Sequence, residues 1–70
     1  MDTKNILESL TEKENETLGY IMEGLSNSEI AERMGISISG VKFHIHQMLE
    51  KTGTKNKCQL IIFFTNWPKG

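Results

Sequence analysis

Between Ser26 and Ser37 the chain carries a helix start, a helix stop and a second helix start, leaving room for one helix of about eight residues and a turn of about four. Ser26 with Glu29 three residues on is a capping box: a hydroxyl accepts an orphan backbone N–H, and a carboxylate reaches back to the N–H of the cap residue. Gly35 follows the apolar set Ile30, Ala31 and Met34, at the point where the chain must enter the left-handed region, which carries no steric cost for glycine. Ser37 then caps the next helix, with Ile36 and Val41 at the spacing of a hydrophobic staple. A short helix, a glycine turn and a longer helix make a helix-turn-helix, and little else fits so brief an interval.

The same grammar frames the rest of the chain. Thr11 with Glu14 and Asn56 with Gln59 open two more helices, while Gly24 and Gly53 stand just past apolar stretches. An all-α, compact four-helix domain is therefore predicted, with helices at about 11–23, 27–34, 38–52 and 57–66. Apolar spacing supplies its core: Leu18, Ile21, Met22 and Leu25 on the first helix, Ile30, Ala31 and Met34 on the second, and Val41, Ile45, Met48, Leu49 and Thr52 on the third. Leu60 to Phe64 is apolar all round and suits a buried strand as well as a helix, but the Asn56 cap, Gln59 and Trp67 favour a helix, which Pro68 ends. Residues 1–9 read as an N-terminal extension, 10–67 as the domain and 68–70 as a tail, with Ile6, Leu7 and Trp67 as candidate contacts from the ends.

Seventy residues make one domain, near the lower limit for folding around a single core. Cys58 is the only cysteine and has no internal disulfide partner, no signal-peptide pattern opens the chain, and the longest apolar run is far short of the roughly 20 residues that cross a bilayer. A cytoplasmic location without membrane contact is the expectation. The net charge of -1 conceals a division: residues 1–36 hold eight acidic side chains against three basic ones, and residues 37–70 hold five lysines against Glu50 alone. Such polarity between halves points to a polyanionic partner for the second half.

At about 100° per residue, the face of the third helix opposite its core stripe carries Ser39, Lys42, Phe43, His46, Gln47 and Glu50. Lys42 can reach guanine O6 and N7 or a phosphate, His46 and Gln47 can donate and accept at base edges, and Phe43 offers apolar area to a thymine methyl. The helix N-terminus itself favours phosphate. Double-stranded DNA is the partner these side chains suit, with Lys42, Phe43, His46 and Gln47 reading bases.

Over about residues 10–64 the chain resembles the LuxR/GerE-type helix-turn-helix family. The resemblance rests on Leu10-Thr11 with Glu14 and Glu16, on Glu23-Gly24-Leu25-Ser26-Asn27 with Glu29-Ile30-Ala31, and on Ile36-Ser37 before Val41-Lys42 and His44. Leu49, Lys51, Gly53 and the run Lys55-Asn56-Lys57 also fit. It implies a domain that binds DNA as a homodimer, with the third helix in the major groove and the fourth at the dimer contact. By matching position, Lys42, Phe43 and His46 would face bases, and Asn27, Lys51 and Lys57 would lie near phosphates; Ser39 and Lys55 complete the candidate phosphate set. Three positions depart from the pattern: Ser28 stands where lysine is common, Gly40 where threonine is usual, and Glu50 where a basic residue is frequent. Gly40 costs about 1 kcal/mol of helix propensity against alanine, and Glu50 sets a carboxylate on the DNA side, so a modest, salt-sensitive affinity is expected. Family members often carry a receiver or ligand-binding domain ahead of this module, for which the 70 residues leave no room, so control by phosphorylation or a small ligand within this chain is not expected.

His44 and His46 do not form a metal site, because side chains two apart on a helix diverge and no further ligand has matching spacing. His44 reads instead as a helix-interface histidine and Cys58 as a small helix-entry residue. No nucleophile with a base, glycine-rich phosphate loop or paired carboxylates are recognisable, so neither an enzyme nor a cofactor is expected. Ile61, Ile62, Phe63 and Phe64, with Leu60, exceed what one side of a short helix can bury, and together with Trp67 they are the candidate dimer interface. A second reading uses the same helix differently: a small interaction protein that pairs through it with a larger transcriptional regulator. RNA polymerase is a further candidate partner.

Overall fold

The computed structural model describes residues 9–66, and among these the chain forms four helices and no strand: α1 (Glu12–Met22), α2 (Asn27–Met34), α3 (Ile38–Thr52) and α4 (Lys57–Thr65). Each boundary lies within about a residue of its sequence expectation, because each helix begins where a side chain can accept an N–H. Thr11 and Ser26 form complete capping boxes with Glu14 and Glu29, and the Ser37 side chain accepts the Gly40 N–H. At α4 the pattern shifts by one residue. Asn56 accepts the Gln59 N–H as expected, but the Gln59 side chain accepts from the Lys55 N–H at 2.9 Å instead of from the cap residue itself. Gly35 ends α2 at φ 68° and Gly53 ends α3 at φ 72°, left-handed positions at which a β-carbon would be strained.

α3 is the hub: α1, α2 and α4 all pack against it, and α1 and α2 touch each other more lightly. Ile30, Val41, Met48 and Leu60 are fully buried, and Leu10, Ile21, Ala31 and Ile45 complete the core they form. Leu18, Leu25, Met34, Ile36, Leu49, Ile61 and Phe64 pack around it half-buried, so the two staple residues Leu25 and Ile36 abut the cluster holding Ile30 and Val41.

The inward stripe of α1 differs from the apolar pattern. Met22, expected in the core, is 45% exposed, while Glu14 and Thr17 are buried. Leu10, Glu14, Thr17 and Ile21 advance in steps of four, three and four, so the inward line of α1 passes through two polar residues and misses Met22 by one position. The Thr17 hydroxyl is satisfied by donating to the Lys13 carbonyl at 2.7 Å, with Met34 Sδ 3.3 Å away. Trp67, residues 1–8 of the expected extension at 1–9, and the tail at 68–70 lie outside the described residues. No helix among the described residues is long and apolar enough to cross a membrane.

Candidate nucleic-acid interface

Val41, Ile45 and Met48 turn one side of α3 into the core and thereby fix what its other side presents. Lys42, Phe43 and His46 are exposed on that outer side, Phe43 at 59%, and Gln47 is half-buried at its margin. The Phe43 ring meets the His44 ring in a T-shaped contact with centroids 5.8 Å apart. His44 itself is half-buried, as expected of an interface histidine. Four candidate base-reading residues thus share a face because the core takes the rest of the helix. Ile38, the first residue of α3, adds exposed apolar surface beside Ser39, which pattern-reading had not singled out.

Glu50 lies on this face too, and it is engaged: His46 Nε2 is 2.8 Å from Glu50 Oε1, one turn along the helix, both side chains well exposed. The carboxylate therefore orients the imidazole and offsets positive charge on the surface that would meet a polyanion.

The candidate phosphate residues divide into three groups. Asn27 and Lys57, each the first residue of its helix, are brought together across the fold, with Lys57 Nζ donating to Asn27 Oδ1 at 3.1 Å. Lys55 and Ser39 are exposed. Lys51 is half-buried and engaged within the fold. Its Nζ donates to Glu14 Oε1 at 2.6 Å and to the Ser9 carbonyl at 2.7 Å, an arrangement directed into the α1 side of the fold. Burial opposes ionisation of Glu14, but the Lys51 ammonium and the Thr11 N–H, with a smaller contribution from His44, outweigh it and hold the carboxyl below its ordinary value of 4.5. Glu29 is also lowered, by the backbone and side-chain hydrogen bonds of its capping box with Ser26. Glu14 was legible only as a capping residue. Its place in the Leu10, Glu14, Thr17, Ile21 line was the available sign that it points inward.

On α4, Leu60 is fully buried, Ile61, Phe63 and Phe64 are half-buried, and Ile62 is 57% exposed. Phe63 and Phe64 meet edge to face, with centroids 5.0 Å apart and ring planes at 77°. Among the described residues no group of histidine, cysteine and acidic side chains is placed to hold a metal ion, and Cys58 is exposed and free.

Residues 8–64 match the family model described as bacterial regulatory proteins, luxR family. Among curated proteins, the chain is 35% identical over 86% of its length to an uncharacterised transcriptional regulatory protein, YxjL, of Bacillus subtilis, covering 28% of that protein. It is 37% identical over 84% of its length to the DNA-binding transcriptional activator DevR/DosR of Mycobacterium tuberculosis, covering 27% of it. It is 40% identical over 83% of its length to the response regulator protein VraR of Staphylococcus aureus, covering 28% of it. The chain thus spans little more than a quarter of the length of these relatives. No solved structure gives a significant match. The matched residues take in the caps, the glycine turn and the outer face of α3, and on that evidence the chain belongs to the luxR family of transcriptional regulators as a helix-turn-helix DNA-binding domain.

Proposed function

We propose that this chain binds double-stranded DNA sequence-specifically as a homodimer on a palindromic site, with α3 in the major groove, and regulates transcription in the cytoplasm. The observation that carries the reading is the outer face of α3, where Lys42, Phe43 and His46 stand exposed on a helix whose opposite side is locked into the core. Lys42, His46 and Gln47 supply hydrogen bonds to base edges, and Phe43 apolar contact. Asn27, Ser39, Lys55 and Lys57 engage phosphates and set the register. Exposed Ile62, with Ile61, Phe63 and Phe64 beside it in sequence, supports a two-fold contact through α4, by which two copies of α3 would meet half-sites about one helical turn apart.

Duplexes selected from a random pool by the purified chain, then titrated across a salt series, test the reading. The logarithm of affinity is expected to fall linearly with the logarithm of salt concentration, by about 0.9 per phosphate contact. An affinity indifferent to salt, or a selected pool without a shared sequence, contradicts it. RNA polymerase is the further partner proposed for the DNA-bound form. A second reading, a small protein that pairs through α4 with a larger regulator and modulates it, is favoured by Ile62 and by the Glu50 carboxylate on the outer face. Tight DNA binding by the chain alone defeats it, while capture of the larger regulator without DNA binding supports it.

A further inference from the structure

We propose that Lys51 is a positioning residue for DNA reading: it latches the segment entering α1 to the last turns of α3, and DNA binding depends on it through that latch and not through a phosphate. The inference rests on the DNA-binding reading of α3. Its first support is helical geometry. Lys51 stands nine positions after Lys42, roughly two and a half turns, so it leaves α3 about half a turn from Lys42, just past Gln47 at the other margin of the outer face. Lys42 faces outward, whereas Lys51 reaches across to α1.

The second support is the state of its partner. Glu14 is only 3% exposed, and its Oε1 accepts from both Lys51 Nζ and the Thr11 N–H. A carboxylate held that far from water requires its cation, so drawing Lys51 away to a phosphate would strand the charge. Lys51 also donates to the carbonyl of Ser9, before the Thr11 cap. One ammonium therefore ties together two places 37 and 42 residues distant from it in sequence, buried Glu14 in the first turn of α1 and the chain leading into that helix. Since α3 carries the exposed residues that would meet bases, the latch bears on how that helix is presented.

The test compares the wild-type chain with Lys51→Met, Glu14→Gln, the double variant and Lys51→Arg. Binding to a selected duplex is measured over a salt series, at temperatures where circular dichroism shows each protein folded, alongside amide hydrogen exchange on the free proteins. Lys51→Met and Glu14→Gln are each expected to weaken binding about three- to tenfold, with the double variant no worse than either single and the salt slope unchanged. Lys51→Arg is expected to restore affinity. In both single variants, the amides of Leu10 and Thr11 and those of Met48 to Lys51 are expected to lose protection together.

A Lys51→Met slope reduced by about one, with Glu14→Gln binding as wild type, would make Lys51 a phosphate contact and overturn the proposal. Affinities unchanged in both folded variants would reduce the pair to a stabilising contact and overturn it as well. Should Lys51→Met not fold, Glu14→Gln and Lys51→Arg carry the same comparison. A wild-type chain that binds no duplex sinks the DNA reading, and with it the role in DNA reading; exchange then decides whether the latch exists, with independent loss of protection at its two ends refuting that too.

Discussion

Lys42 and Ile45 lie less than one turn apart on α3, and exchanging each for alanine should separate reading from folding. Ile45 is buried in the α3 stripe with Val41 and Met48, so Ile45→Ala removes core volume that the neighbours only partly refill, at a cost of about 2–5 kcal/mol. A domain of this length has roughly 4–10 kcal/mol of stability in total. The variant is therefore expected to lose about half of it and to melt roughly 14–34 °C lower. Lys42 is exposed and lies outside the core cluster that holds the helix, so Lys42→Ala should leave the melting temperature within a few degrees. It should cost about 1–3 kcal/mol of DNA binding, or roughly 5- to 150-fold in affinity, and relax preference at one base position of each half-site. Thermal melts by circular dichroism and fluorescence anisotropy with a labelled duplex measure the two effects on the same samples. A destabilised Lys42→Ala beside a stable, non-binding Ile45→Ala would mean that α3 presents the opposite face, refuting the assignment of its outer surface.

Three further outcomes are expected. Gly40→Ala should gain up to about 1 kcal/mol of helix propensity, because the new β-carbon meets the flexible end of Ile36 at 3.3 Å and that methyl can shift; a lower melting temperature would show that Ile36 cannot yield. Glu50→Gln should tighten DNA binding at low salt by up to about fivefold and less as salt rises, by removing a carboxylate from the outer face; weaker binding would show that orienting His46 matters more than the repulsion. Glu14 and Glu29 have folded pKa values below the ordinary 4.5, so the unfolded chain binds more protons as these groups titrate. Their contribution to stability is complete above about pH 5.5 and is lost as pH falls through 4.5 and on through the lowered folded values. Melting temperatures taken from pH 7 to 3 should follow that course, with a shallower fall in Glu14→Gln, and equal slopes in the two proteins would contradict the role given to Glu14.

The helix ends were legible because capping is local: Ser26 and Glu29, or Ser37 and the Gly40 N–H, are three residues apart, so the partners that define each boundary sit side by side in the chain. The outer face of α3 was legible for a related reason, since its apolar positions determine by subtraction which residues face away. The inward line of α1 was not. A carboxylate enters a core only when a cation arrives to meet it, and Lys51 arrives from 37 residues away, an arrangement that exists only once α1 and α3 have packed. Apolar spacing alone has no place for Glu14 and Thr17, and it drew in Met22, which is exposed. The same distance concealed that Lys51 is engaged, while Lys57 and Asn27, 30 residues apart, were each assigned to phosphates without sign that they meet.

α4 packs chiefly against α3 through Leu60, its one fully buried side chain, with half-buried Ile61 and Phe64 against the core and the bond from Lys57 to Asn27 beside them. With one fully buried side chain against the three buried in α3, α4 is expected to open at a free energy below that of global unfolding, and α3, held on three sides, last. In the homodimer proposed above, covering Ile62 would narrow that gap by mass action, so the order of α4 would rise with the amount of protein present.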